Sequence, residues 1–379
     1  MVFQFAKKIL YFSIPLLIFF LVPVSYLYIS GENYRNLDVI VRDYNNYLIG
    51  YAYNQDNYRY LKFREIQARD SVQVMALGSS RVLQFRKEMF TTSFYNAGYT
   101  LSRISEFESR LKTISKFNKP QVIIISLDQW MFNSKWDSGK SESTDLIIWN
   151  PVFQKYATIQ TLLNVWKDVF IGKYDYEMIF SKIYDDTLYS HYGLNAFANN
   201  TGVRKDGSYN YGVQVDKLLN NDSTAYDFNY LETLQRIDKG TDRFQFSNSV
   251  NPTAISSLNS LLVYCRDNNI NVVAVIPPFA NTVMQQLKRS GMHDYIDKIF
   301  NEINPIFVLH GFELWDMTDL QDYGSKDDEV VDGFHGGELS YLKMLIHMSE
   351  NGSILKNHTD TAFMRTSIEN KVNRYVVYQ

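Results

Sequence analysis

The sequence predicts an α/β protein with a mostly parallel central sheet, preceded by one transmembrane helix. Three observations predict this class. The chain opens with a long stretch that lacks charged residues, and several short apolar runs further on have the composition of buried strands. Between those runs, apolar residues recur at three- and four-residue steps, which is typical of helices that cover a parallel sheet.

The apolar stretch at the amino terminus is the predicted anchor. Residues 9–31 contain no charged side chain, and about 21 mostly apolar positions span roughly 30 Å as a helix, the thickness of a hydrocarbon core. Lys7 and Lys8 precede the stretch and Glu32 follows it, so the positive-inside rule predicts a cytoplasmic amino terminus. A cleaved signal peptide is the alternative, but bulky tyrosines stand where its small-x-small cleavage site would lie.

We therefore expect a single-pass protein of the cell membrane, with residues 9–30 in the lipid bilayer and the carboxyl-terminal domain outside the cytoplasm, either periplasmic or extracellular. The predicted organisation has five parts, and an insertion rich in Tyr, Asn and Asp interrupts the core as a cap or groove wall. These parts are the stub and anchor (1–31), a membrane-proximal linker (32–70), the core (71–135 and 251–350), the insertion (136–250) and a carboxyl-terminal tail (351–379).

Five apolar runs are the predicted strands of the sheet. Each is short and bounded by turn-forming residues, and an uninterrupted apolar run such as 121–127 is typical of a strand buried on both faces. The predicted strands cover residues 71–77, 92–98, 121–127, 270–276 and 311–317, and the predicted helices cover 104–117, 252–267 and 281–304.

Composition excludes several classes of function. The net charge of −3 gives no basic field for nucleic acid, so we expect no nucleic-acid partner. The single cysteine, Cys265, cannot form a disulfide within the chain or a cysteine-based metal site. The six histidines are scattered without metal-binding spacing, and no nucleotide-binding fingerprint occurs. We therefore expect neither a metal nor a cofactor.

Four short motifs lie where the chemistry of an α/β protein is expected, beyond the carboxyl ends of strands or in a glycine-rich turn. They are Gly-Ser-Ser at 78–80, Asn-Ala-Gly at 96–98, Asp-Gln-Trp at 128–130 and Asp-Gly-Phe-His at 332–335. Each alone is typical of an ordinary turn or helix cap. Together they supply a serine alcohol in Ser80, a base in His335 and an orienting acid in Asp332. The backbone N–H groups of Ser80 and Gly98 are candidate donors to an oxyanion.

The order and spacing of these motifs resemble the SGNH (GDS-type) hydrolase superfamily, whose fold is a three-layer α/β domain. The first block matches at "LGSSRV", the second at "YNAGYTLSRI" and the last at "DGFH". The resemblance implies that Ser80 is the nucleophile, Gly98 an oxyanion donor, His335 the base and Asp332 its partner. Two departures stand out: Ser79 replaces the usual Asp, and "ISLDQWMF" lacks the Asn of the third block. Gln129 or the indole N–H of Trp130 would have to substitute as the oxyanion donor.

The departures and the single anchor resemble a membrane-tethered branch of this superfamily. Its members include the teichoic-acid D-alanylation protein and SGNH-like proteins of polysaccharide O-acetylation, which work beside a membrane-bound O-acyltransferase (MBOAT). This resemblance implies an MBOAT partner, a polysaccharide acceptor and an acyl group, such as acetyl, that passes through Ser80. Arg81 is then a possible contact to an anionic acceptor, and Trp130 a possible substrate contact.

Two other functions remain open at this point. The same triad suits a tethered carbohydrate esterase that uses water as its acceptor. A scaffold without catalysis, which binds glycan or a partner protein, is the third possibility. Aromatic residues of the insertion are candidates for stacking on sugar rings, with buried packing as the alternative for each. The residues concerned are Trp136, Trp149 and Trp166.

Overall fold

The computed structural model describes residues 2–33, 35–42, 47–137, 157–175, 177, 179 and 190–378. The chain divides into two compact units. Unit 1 contains residues 1–60, 150–205 and 210–213, and unit 2 contains residues 61–149, 206–209 and 214–379. The expected insertion is therefore divided between the two units, and part of it belongs to the same unit as the predicted core.

Helices account for most of the regular structure in both units. The long first helix ends near Gly31, whose φ of +67° is a left-handed conformation that glycine adopts without strain. The helices are α1 (Val2–Ile29), α2 (Leu37–Arg42), α3 (Asn57–Ala68), α4 (Phe107–Ser115), α5 (Ile159–Phe170), α6 (Leu194–Asn199), α7 (Val213–Leu219), α8 (Leu231–Lys239), α9 (Pro252–Asp267), α10 (Asn281–Ser290), α11 (Ile299–His310), α12 (Glu338–Glu350) and α13 (Thr361–Glu369).

Within the described residues, the strands form two sheets. Four short strands, in the order β5-β1-β6-β7, make one sheet, and β3-β2-β4-β8-β9 make a five-stranded sheet whose neighbouring pairs are all parallel. The strands are β1 (Leu48–Ile49), β2 (Val74–Leu77), β3 (Phe94–Ala97), β4 (Val122–Ser126), β5 (His191–Tyr192), β6 (Gly202–Arg204), β7 (Tyr209–Asn210), β8 (Asn271–Ile276) and β9 (Glu313–Asp316).

The five-stranded sheet confirms the expected parallel core, since each predicted apolar run of the core contains one of its strands. The two central neighbours β2 and β4 are buried at every position. Helix α9 contacts α4 and α11, while α12 contacts α13 and α8 contacts α10. Burial of apolar side chains between these helices and the sheet is the main stabilising term of unit 2.

Three expectations from the sequence are corrected by the structure. The helical stretch 281–304 is two helices, α10 and α11, because Gly291 ends α10 with a left-handed φ of +61°. The predicted linker contains strand β1 as well as helices. The helix predicted over 104–117 ends earlier, because α4 stops at Ser115 and Phe117, beyond its end, is 47% exposed.

The carboxyl-terminal residues are packed rather than extended as a simple tail. Helix α13 contacts α12, and Tyr375 and Val377 are buried. Unit 1 has a separate apolar cluster in which the end of α1, including Tyr26 and Leu27, packs with α5 and α6. In the part of the chain that the structure describes, one helical segment, Lys7–Ile29 within α1, is long and apolar enough to cross a membrane.

Candidate active site

Ser80 lies at the carboxyl edge of the parallel sheet. Strand β2 ends at Leu77, and after Gly78 and Ser79 the chain turns into a short 3-10 helix that begins at Ser80. The Ser79 side chain caps this helix by accepting a hydrogen bond of 3.1 Å from the backbone N–H of Arg81. The capping role that a turn-forming serine suggested thus belongs to Ser79, and the Ser80 hydroxyl is left for another contact.

That contact is with His335. The Ser80 Oγ lies 2.7 Å from His335 Nε2, although 255 positions separate the two residues along the chain. On the other side of the ring, His335 Nδ1 lies 2.7 Å from Asp332 Oδ2. The structure therefore brings together, in one line, the three residues that the sequence singled out. A hydroxyl, an imidazole and a carboxylate in series are the arrangement that activates a serine for nucleophilic attack.

Asp332 is fixed by its own loop. Its Oδ1 accepts hydrogen bonds from the backbone N–H groups of Phe334 and His335, at 3.0 and 2.8 Å. Burial by itself raises the pKa of the Asp332 carboxyl, but His335 and these hydrogen bonds outweigh it and hold that pKa below its ordinary value. The carboxylate is thus ionised at neutral pH and accepts the Nδ1–H of His335, so Nε2 carries the lone pair that can accept the Ser80 proton.

Exposure differs between the members of this triad. The His335 side chain is 14% exposed and that of Asp332 only 4%, while Ser80 is half-buried. A reagent or substrate can therefore reach the hydroxyl and the outer edge of the imidazole but not the carboxylate. This is the access that a nucleophile and its base need, with the orienting group shielded from water.

The predicted oxyanion donors are only partly available. The backbone N–H of Ser80 has no hydrogen-bond acceptor among the described residues, so it remains a candidate donor. The expectation for Gly98 is corrected, because its N–H donates to the Asn96 Oδ1 at 2.9 Å. The role of Gly98 is steric instead, because a side chain does not fit at this position: an added Cβ would lie 2.5 Å from Val82 Cγ2.

The side chain of Gln129, the other predicted oxyanion donor, also forms hydrogen bonds within the protein. Its Oε1 accepts a hydrogen bond of 2.7 Å from Arg81 Nη1, and its Nε2 donates to the carbonyl oxygen of Pro277 at 2.7 Å. Arg81 additionally donates to the carbonyl oxygen of Pro278. Since Gln129 follows β4 and the prolines follow β8, these bonds join the turns beyond three strands.

Arg81 and Trp130 were predicted as possible contacts to the acceptor, and the structure buries both. Their exposed fractions are 1% and 2%, and the Arg81 guanidinium lies over the Trp130 and Phe279 rings at 5.3 and 4.7 Å from the ring centres. In this geometry the buried Arg81 stabilises the turns around the site through its hydrogen bonds, and its guanidinium does not face an acceptor. Direct contact by either side chain requires movement of the loops around them.

Sequence reasoning missed Arg243, which lies in the predicted insertion. Its guanidinium is half-buried and lies within 6 Å of the ring centres of Trp130, Trp136 and Phe334. Phe334 precedes His335, and the two rings are 4.4 Å apart, so Arg243 brings a positive charge close to the triad. No local pattern in the sequence marks Arg243, since its position depends on contacts with residues far along the chain.

Another part of the insertion supports the turn that carries Asp332 and His335. Asp227 Oδ2 accepts a hydrogen bond of 3.1 Å from the backbone N–H of Gly333 and one of 2.6 Å from Thr233 Oγ1. Gly333 has no room for a side chain, because an added Cβ would lie 2.8 Å from Thr233 Cγ2. The turn is therefore held between its own hydrogen bonds and α8.

Helix α12, which follows His335, is held at its start by a buried ion pair. Glu338 Oε1 lies 2.6 Å from Arg86 Nη1, and both side chains are less than 5% exposed. Glu338 Oε2 also accepts hydrogen bonds from the backbone N–H groups of Val377 and Tyr378, at 2.9 and 3.2 Å. Val377 and Tyr378 thus take part in positioning the helix that directly follows the turn of the base.

The tryptophans proposed to stack on sugars have different surroundings. Trp136 is partly buried, donates from Nε1 to the Ser102 carbonyl oxygen at 2.7 Å, and lies in unit 2 beside Arg243. Trp166 belongs to unit 1, where it contacts α1. Trp149 lies outside the described residues. Of the two described tryptophans, Trp136 is the one that belongs to the same unit as the triad.

Comparison with known proteins identifies no family. No protein-family model matches this chain, and no curated protein matches it significantly. Among the described residues there is also no group of three or more His, Cys, Asp and Glu side chains that could hold a metal ion. The case for a function therefore depends on the geometry of the triad and its surroundings.

Proposed function

We propose that this protein is a membrane-anchored, SGNH-like O-acyltransferase that acts with an MBOAT partner to acylate, most simply to acetylate, a cell-envelope or exported polysaccharide. The observation that carries the proposal is the line Ser80–His335–Asp332 at the carboxyl edge of a parallel sheet. The finer architecture belongs to the same proposal: a three-layer SGNH-like domain outside the cytoplasm, joined to one transmembrane helix whose amino terminus is cytoplasmic.

The first half-reaction forms an acyl-enzyme. Ser80 Oγ attacks the carbonyl carbon of the acyl donor while His335 Nε2 takes the hydroxyl proton, and Asp332 stabilises the resulting imidazolium. The backbone N–H of Ser80 is placed to stabilise the oxyanion of the tetrahedral intermediate. Its collapse breaks the bond to the leaving group, which receives the proton from His335, and leaves the acyl group as an ester on Ser80.

The second half-reaction reverses these roles. A hydroxyl of the polysaccharide attacks the ester carbonyl on Ser80, and His335 takes the proton of that hydroxyl. The second tetrahedral intermediate releases the Ser80 alkoxide, which regains its proton from His335. The acyl group is then an ester of the glycan and the free enzyme is restored, so no metal or cofactor takes part in either step.

The apolar helix α1 supports the membrane part of the proposal. Its segment Lys7–Ile29 is long and apolar enough to cross a membrane. Tethering an enzyme beside a membrane-embedded acyl donor raises the effective concentration of enzyme and donor relative to each other. Acyl transfer is therefore faster than it would be if the enzyme diffused freely in solution. The MBOAT partner would supply the acyl group at that surface, and the partly exposed Ser80 would receive it.

The test compares glycan acylation in cells that produce the wild-type protein or Ser80→Ala. We expect Ser80→Ala to abolish acylation and to prevent a covalent adduct, which mass spectrometry of the wild-type protein would find on the peptide containing residue 80. Ser367→Ala, on α13, is the matched control and should keep both. Full acylation by a correctly folded Ser80→Ala protein would remove the enzyme hypothesis and favour a scaffold.

A tethered carbohydrate esterase is the second candidate. The observation that favours it is the partial exposure of Ser80 and His335, because water that reaches the acyl-enzyme can hydrolyse it. Rapid release of acetate from small esters or acetylated glycan by the purified protein, without a partner, would favour this function. Slow hydrolysis together with partner-dependent glycan acylation would favour the transferase.

A further inference from the structure

Helix α5 of unit 1 has three distinct faces. Leu162 and Val165 are buried in the apolar cluster that α5 shares with α1 and α6. A second face is apolar but exposed, and a third is polar. The apolar stripe consists of the exposed Ile159, Leu163 and Phe170 and the half-buried Trp166, at intervals of four, three and four residues that place them on one side of the helix.

The stripe is unusual in the degree of its exposure. Ile159 is 66% exposed, Leu163 46% and Phe170 81%, and the stripe continues into Ile171 at 63%. Lys167 flanks it on the polar side and is exposed as well. A row of large apolar side chains beside a lysine, on a helix whose neighbouring face is already packed, is the composition of a helix that lies in a membrane interface.

Trp166 connects this stripe to the anchor. Its Nε1 donates a hydrogen bond of 3.0 Å to the backbone carbonyl oxygen of Phe19. That carbonyl is the one that Pro23, four residues later, cannot satisfy, because proline has no backbone N–H. The rings of Phe19, Trp166 and Phe170 stack in a row, with centres 6.4 and 5.7 Å apart. The exposed face of α5 is therefore continuous with that of α1.

The length of α1 places this contact inside the lipid. Side chains from Ile9 to Leu21 are mostly exposed, whereas from Val22 onward α1 packs against other residues of unit 1. The exposed part rises about 20 Å, which is shorter than a hydrocarbon core of roughly 30 Å. If the hydrocarbon core of the membrane begins just after Lys8, the outermost third of that core is at the level where α5 packs against α1.

We propose that α5 is a membrane-embedded interfacial helix, with the stripe of Ile159, Leu163, Trp166 and Phe170 in the lipid of the outer leaflet and Lys167 at the headgroups. This rests on the anchor that the proposed function assigns to α1. Interfacial helices bury their apolar face about 5–10 Å deep. This depth agrees with the difference between the thickness of the hydrocarbon core and the length of the exposed part of α1. The second element would fix the tilt and rotation of the anchor.

The test uses the full chain in vesicles of phosphatidylcholine and phosphatidylglycerol. Single cysteines are introduced at Leu163, Phe170, Lys167 and Leu16 and labelled with an environment-sensitive fluorophore. The native Cys265 is fully buried, so the unmutated protein reports background labelling. All four positions are exposed, so the substitutions leave the packed cluster intact. Quenching is measured with lipids brominated near the headgroup or deep in the acyl chain.

We expect the labels at Leu163 and Phe170 to be quenched several-fold more strongly by brominated lipid than the label at Lys167, one helical turn away. The Leu16 label, which reports the anchor, should be quenched most by the deeply brominated lipid. If Leu16 is quenched but the stripe is quenched no more than Lys167, α5 is outside the lipid and the inference is overturned, including the case in which a protein covers the stripe. If Leu16 is not quenched, the anchor itself is wrong and this inference falls with it.

Discussion

Replacing Asp332 by asparagine exchanges one oxygen of the triad for an NH₂ group and leaves the size of the side chain unchanged. The Oδ1 can still accept the two backbone N–H groups that fix the turn. The new Nδ2, however, must donate to His335 Nδ1, because two N–H groups cannot face each other at 2.7 Å. The imidazole proton is then carried by Nε2, which faces Ser80 and can no longer accept its proton.

The size of the expected loss in kcat follows from this change of tautomer. The variant must place a proton on Nδ1 against an N–H group before catalysis, and it lacks the carboxylate that stabilises the imidazolium. In serine proteases the same exchange lowers kcat by about 10⁴. At 1.36 kcal/mol for each factor of ten, that loss raises the barrier by about 5 kcal/mol. We expect a similar loss here, since Asp332 makes both contacts of the orienting acid.

The assay is the rate at which a small activated ester or the acyl donor acylates Ser80, followed by mass spectrometry over a range of pH. Thermal unfolding of Asp332→Asn at pH 7 checks that the fold is retained, and Ser80→Ala gives the background rate. A folded Asp332→Asn protein that acylates within tenfold of the wild-type rate would refute the assignment of Asp332 as the orienting acid.

Two further predictions concern stability. Gly98→Ala should destabilise unit 2 by about 1–3 kcal/mol, because the added methyl group would lie 2.5 Å from Val82 Cγ2 and 2.8 Å from Asn96 Oδ1; an unchanged denaturation midpoint in urea would contradict the packing argument. Burial lowers the pKa of Lys62 to about 7, so between that pH and the ordinary lysine pKa near 10.4 the unfolded chain binds more protons and stability should rise with pH. Lys62→Met should reduce this rise in denaturation measured from pH 7 to 10, and an equally steep rise in the variant would show that Lys62 is not its source.

The sheet could be predicted from the sequence because its strands are defined by local composition. Apolar runs bounded by turn residues gave β2, β3, β4, β8 and β9, each within a few residues of its observed limits. The meeting of Ser80 with His335 was also predicted, from a set of motifs in which a serine beyond a strand and an Asp-x-x-His turn together supply a nucleophile, its base and an orienting acid. Gly291, in contrast, is a visible signal in the sequence that divides the predicted helical stretch around 281–304 into two helices.

Contacts that depend on a side-chain rotamer or on distant residues could not be predicted in this way. The Gly98 N–H is engaged by a side chain two residues earlier, and nothing in a short motif reveals which rotamer Asn96 adopts. The burial of Arg81 depends on the carbonyl oxygen of Pro278, which is 197 positions away. Arg243 reaches the site only through the packing of the insertion, where the sequence has no regular period.

The buried pair of Arg86 and Glu338 has a consequence for truncated forms of this protein. Glu338 also accepts hydrogen bonds from the backbone N–H groups of Val377 and Tyr378, so the start of α12, the helix that follows His335, is held by residues about 40 positions later. A variant without residues 377 and 378 would bury a carboxylate oxygen that has lost both of these donors, and such a loss is destabilising. Removal of this short segment should therefore weaken the support of the turn that carries His335, although the segment is almost 300 positions from Ser80 along the chain.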